Sequence, residues 1–117
     1  MAKAIKAPKQ TRDSLRSAIK ELQYKAMGPG IPIAQRMALK NRAQELRDQL
    51  IELEAARFNQ ATGKYKQALA KVQSTIADLR KTIKEIDNII KIVEKAGKVF
   101  GAMDGLLRTA AKFTSIF

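Results

Sequence analysis

The side chains of this sequence able to do chemistry are cations and carboxylates: there are 23 Lys and Arg and 11 Asp and Glu, and neither His nor Cys occurs. Zinc and haem therefore lack their usual ligands, and the common base–nucleophile pairs cannot be assembled. The carboxylates flank apolar stripes beside Lys or Arg, an arrangement for ion pairs and not a convergent acid–base set. No enzymatic activity, metal or other cofactor is expected. What remains is binding chemistry, and three groups of residues suggest it. Lys3, Lys6, Lys9, Arg12 and Arg16 form a basic cluster suited to phosphates. Phe100, Met103, Leu106, Leu107, Phe113 and Phe117 fall on one face of a helical C-terminal stretch and suit a partner protein or a lipid interface. Leu39, Leu46, Leu50, Leu53, Val72, Ile76, Leu79, Ile83, Ile86 and Ile90 step by threes and fours and suit a helix–helix seam for folding or self-association.

The elements that position these groups are helices. From about Arg36 to Lys95 the chain is proline-free and carries apolar residues at a period near 3.5, the a/d pattern of a coiled-coil seam. The first seam, continued past Leu53, runs into Arg57, Gln60 and Lys64, whereas the second runs one residue later, through Phe58 and Tyr65. The phase is reset near Thr62–Gly63. Either one long helix skips a residue or the chain turns there; glycine, which takes positive φ without penalty, favours the turn. Folded as a hairpin, the two seams set Leu53 opposite Val72 and Leu46 opposite Leu79. Glu45 then lies near Arg80, Lys40 near Glu85 and Glu54 near Lys71.

The expected fold is all-α: a long antiparallel, coiled-coil-like helical hairpin with a short N-terminal helix and an amphipathic C-terminal helix. Residues 1–10 read as a flexible basic arm and residues 11–27 as a short helix capped by Thr11, with Leu15, Ile19, Leu22 and Ala26 as its apolar stripe. Residues 28–33, which include Gly28-Pro29-Gly30-Ile31-Pro32, form a turn. This is no phosphate-cradling loop, since no strand precedes it and no Gly-Lys-Ser/Thr follows. Residues 34–97 make the hairpin with its turn near 61–64, and 98–117 the C-terminal helix. Across that boundary, Gly97, Gly101 and Gly105 make a small-xxx-small row that lets helices approach closely.

Net charge is +12, and it is uneven. Residues 1–40 hold nine basic and two acidic residues, making the N-terminal third the strongest electrostatic candidate for a polyanion. Aromatics are few, at 5%, so burial must come from aliphatic seams. The N-terminus lacks the apolar core of a secretory signal, and no run of about 18 apolar residues could span a bilayer; a cytoplasmic setting or a larger particle is expected. The overall pattern resembles small helical components of phage particles, secretion machines or toxin-type translocators, with no motif that makes the resemblance specific. The seams and the wide apolar face lead to the expectation of a non-enzymatic structural protein that forms a homo-oligomer or docks on a partner protein. An anionic membrane bound through the C-terminal helix is the alternative. A second alternative is nucleic acid bound without sequence specificity through the basic N-terminal region. No small-molecule substrate is expected.

Overall fold

A computed structural model describes residues 4–85 and 87–110. The chain is all-α apart from two short strands: β1 (Ala4–Ile5), α1 (Lys9–Ala26), α2 (Ile33–Ala55), β2 (Phe58–Asn59), α3 (Gly63–Glu85) and α4 (Ile89–Leu107). Each helix boundary has a local cause. Pro8 and Pro32 stand at the N-caps of α1 and α2 with extended backbone (ψ 139° and 144°), where a missing N–H costs nothing. Gly30, at φ 76°, reverses the chain between them. Arg57 folds back over the end of α2 and donates to the carbonyls of Ala55 and Ala56, both at 3.1 Å. The Thr62 hydroxyl accepts from Tyr65 N (3.3 Å) at the start of α3, and the Asn88 carboxamide accepts from Lys91 N (3.1 Å) at the start of α4.

Antiparallel helical hairpins are present, and they pair neighbours in sequence: α1 with α2 across the Gly/Pro turn, and α3 with α4. The two hairpins then lie side by side in parallel. Thr11 and Glu21 of α1 meet Gln73 and Arg80 of α3 in that order. Arg42 and Gln49 of α2 likewise meet Gly97 and Phe100 of α4 in order. Around the bundle the helices run α1, α2, α4, α3, so α2 and α3 sit on a diagonal and share no extensive contact. The particle measures 55 × 27 × 19 Å.

Several expectations change accordingly. The stretch from 64 to 97 is not one helix, because Asn88 starts a new one, and the C-terminal helix begins at Ile89 instead of 98. The link after α2 spans residues 56–62, and Gly63 is the first residue of α3, not a positive-φ cap. Leu53 does not face Val72 across a two-helix seam; both are buried in one four-helix core with Leu15, Leu22, Leu39, Leu46, Leu79, Ile92, Val99, Met103 and Leu106. The expected cross-seam charges are differently partnered: Arg80 pairs with Glu21, Glu54 with Arg16 and Glu45 with Arg42. Thr11 is not a cap. It lies inside α1, 2% exposed, and its hydroxyl accepts from Gln73 Nε2 at 3.1 Å.

Residues 4–10, expected as a flexible arm, are held in place. β1 pairs antiparallel with β2 (Ala4 with Asn59, Ile5 with Phe58), Ala7 is buried, and α1 starts at Lys9. Phe58 also bridges Ala110, is fully buried, and stacks on Tyr65 with ring centroids 5.1 Å apart. It plugs the bundle end at which both described termini and the diagonal link converge. Truncation of Phe58 to Ala is expected to destabilise the fold by about 3–5 kcal/mol, because this ring has no room to be replaced by collapse. Asn88→Ala is expected to cost only about 1 kcal/mol. Urea denaturation followed by circular dichroism measures both.

Candidate functional site

The basic residues singled out in the sequence do not converge. Lys3 lies outside the described residues. Lys6 and Lys9 are exposed. Arg12 and Arg16 are engaged in the fold: Arg12 Nε donates to Ala7 O at 3.1 Å, and Arg16 bridges Asp13 (2.9 Å) and Glu54, tying α1 to α2. Two of the five cations are thereby structural.

The apolar face expected on the C-terminal helix is spent inside the bundle. Met103 and Leu106 are fully buried, Leu107 packs partly against the core, and Phe100 alone of the described set stays substantially exposed, at 36%. Phe113 and Phe117 lie outside the described residues. The glycine row serves close approach at one position: a Cβ on Gly97 would come within 3.1 Å of Arg42 Nη2, so its absence lets that guanidinium lie against α4 while bonding Glu45. Around Gly101 and Gly105 there is open space. No helix among the described residues is long and apolar enough to cross a membrane.

Of the seam residues, Leu39, Leu46, Leu50, Leu53, Val72, Ile76 and Leu79 are buried and Ile83 is partly so. Ile86 lies outside the described residues. Ile90 is the exception, 61% exposed, because α4 starts afresh after its cap at Asn88 and turns Ile92 inward in place of Ile90.

Ile90 belongs to a surface that periodicity did not reveal. Tyr24, Met27, Ile33, Met37 and Ile90, five of the seven large apolar side chains left exposed among the described residues, crowd at the end of the bundle carrying the two hairpin turns. Two adjoining depressions share Gln35, Ile89 and Ile90. One, of about 580 Å³, is lined by Tyr24, the Gly28–Pro32 turn and residues 87–90. The other, of about 230 Å³, lies between α2 and α4 and has an almost wholly apolar surface, lined by Ala34, Ala38, Val93 and Glu94 besides the shared residues. Met37 and Ile33 fall off the Leu39–Leu46–Leu53 stripe of α2. That second stripe was the available signal, and it was hidden because a seam reading sorts residues by one face only.

Charge divides the bundle lengthwise. α1 has five basic and two acidic residues and α3 has six and two, for +7 on one side. α2 has four of each and α4 three basic and two acidic, for +1 on the other. Between α3 and α4, Asp78 receives Lys95 Nζ at 2.7 Å. This hydrogen bond, reinforced by the charges of Lys95, Lys98 and Lys81, holds its carboxyl below the ordinary value. The Glu21 carboxylate raises the Arg80 guanidinium further, and burial pushes the Tyr65 phenol up.

The chain matches no protein-family model, no curated protein and no solved structure.

Because the Asp78 shift is downward, its ion pair supports the fold fully above the carboxyl's ordinary 3.8, and that support is lost as pH falls through the lower folded value. Asp78→Asn is expected to make stability less steeply dependent on pH below about 4, as read from urea midpoints across an acid pH series. An unchanged slope would mean the pair contributes nothing to folding.

Proposed function

We propose that this protein is a non-enzymatic helical interaction module: a four-helix bundle that self-associates through the turn end of its α2/α4 face. The observation carrying this reading is the concentration of Tyr24, Met27, Ile33, Met37 and Ile90 at one end, beside the apolar depression between α2 and α4. Single exposed apolar residues need no explanation, but five at one end of a chain with a complete core call for a cover.

A second copy is the occupant that charge favours. In a two-fold pair each surface meets itself. The α1/α3 side would set +7 against +7, whereas the α2/α4 side carries only +1 and holds the apolar depression. Pairing there keeps the cationic sides apart and exposed. Docking on an anionic membrane through the C-terminal helix has less to support it, since the inward face of α4 is occupied by the protein's own core and lipid would have to displace it.

Light scattering over a concentration series tests the reading. The native chain is expected to form a dimer or larger species that dissociates on dilution. Ile90→Glu combined with Met37→Glu is expected to yield a folded monomer, because both side chains are exposed in the single chain and their replacement leaves the core intact. A native chain that stays monomeric at about 100 μM, far above the dissociation constant of a standard-size specific interface, would overturn the proposal.

A further inference from the structure

We propose that the α1/α3 side is a binding surface for duplex nucleic acid, gripped through backbone phosphates without reading of bases. The sequence directed attention to the N-terminal cluster, but the tertiary arrangement moves the available charge elsewhere. Acidic residues on these two helices are nearly all committed: Asp13 to Arg16, Glu21 to Arg80 and Asp78 to Lys95. Exposed Lys20 on α1, and Lys66 and Lys84 on α3, have no acidic partner among the described residues.

Their placement is ordered. Gln73 and Arg80 mark the side of α3 that borders α1, through their bonds to Thr11 and Glu21. Lys66 and Lys84 flank that row and are about five helical turns apart, so they project from the same side at a separation of about 27 Å. Lys20 stands across from Ile83 on the opposite rim. Beside the Gln73–Arg80 row runs an open groove of about 390 Å³, also lined by Gln10, Thr11, Ser14, Ile76 and Ala77, in which exposed Gln10 and half-buried Ser14 can donate hydrogen bonds to phosphate or sugar oxygens. α3 is about 34 Å long, close to the length of one duplex turn, so a straight line of cations along it can meet phosphates on both sides of a groove. Lysine acts there as a point charge, and with no aromatic platform or free arginine fork in the groove the contact is sequence-independent. A bilayer is the lesser fit, since interfacial binding needs an apolar face to insert and the bulky exposed side chains crowd at the turn end instead. Self-association uses the turn end, where Tyr24 adjoins Lys20, but its test replaces Met37 and Ile90 on α2 and α4 and leaves Lys20, Lys66 and Lys84 untouched, so the two proposals stand or fall separately.

The test is fluorescence anisotropy with a mixed-sequence duplex of roughly 20 base pairs, two helical turns, titrated with the full chain over a salt series. Binding is expected at about 50 mM salt with a steep dependence on salt. Lys20→Gln, Lys66→Gln and Lys84→Gln together are expected to flatten the slope of log affinity against log salt by about 2–3, one lost counterion per contact. A control removing the same charge from the other side, Lys40→Gln, Arg47→Gln and Lys98→Gln, is expected to change it by less than about 1. Thermal melts of both variants confirm folding. Equal flattening by the two variants would reduce the effect to net charge and overturn the assignment of a face. Absence of duplex binding, or binding of phosphatidylglycerol vesicles in its place, would overturn the ligand.

Discussion

The architecture depends on what happens at Phe58. This ring is fully buried, stacks on Tyr65 and sits on a strand that pairs with Ile5 on one side and Ala110 on the other. It thus gathers the start of α1, the end of α4 and the link between α2 and α3 into one plug. Without such a tie a chain of four helices with short turns would fold most simply as consecutive neighbours in a ring. With it, the α2–α3 link crosses the end of the bundle, and the two hairpins are laid side by side in parallel. Parallel packing gains no help from helix dipoles, so it must be held by burial, and the aliphatic residues of all four helices supply that burial in one continuous core.

That arrangement sorts charge as a by-product. α1 and α3, the two most basic helices, become neighbours along one side, and the charge-balanced α2 joins α4 along the other. Ion pairs between elements, Arg16 to Glu54, Arg80 to Glu21 and Lys95 to Asp78, stitch three of the four helix contacts and consume most of the acids available to α1 and α3. Exposed pairs of this kind contribute little to stability, about 0–1 kcal/mol each, but they fix the rotation of one helix against the next. Their larger effect is on what is left over: among the described residues, α1 and α3 keep a surplus of positive charge while α2 and α4 stay nearly balanced.

Gly97 shows how a local rule and a tertiary role meet. A glycine inside a helix costs roughly 1 kcal/mol relative to alanine. Here it opens the space in which Arg42 lies against α4 and bonds Glu45, and Gln49, about two turns further along α2, donates to Phe100 O. These polar bonds cross the α2/α4 contact where a purely aliphatic seam would slide, so they pin its register.

The sequence by itself determined that the chain is helical, where the Gly/Pro break falls, and that the stripes from Leu15 to Ala26, Leu39 to Leu53 and Val72 to Leu79 are buried, because those follow from periodicity and from the backbone limits of proline and glycine. The start of α4 was legible too, in the Asp87-Asn88 step ahead of an isoleucine run, but a seam that continued across it masked the cap. Which helix packs on which was not legible. One apolar stripe satisfies another equally well, so the seams of α2 and α3 can be aligned as a hairpin on paper while the folded chain sets them on a diagonal. Only the tertiary structure decided the neighbours, through Phe58 and the strand pairs around it. With the neighbours it also decided that Arg12 and Arg16 are spent on the fold, that Met103 and Leu106 are core, and that Ile90 is surface.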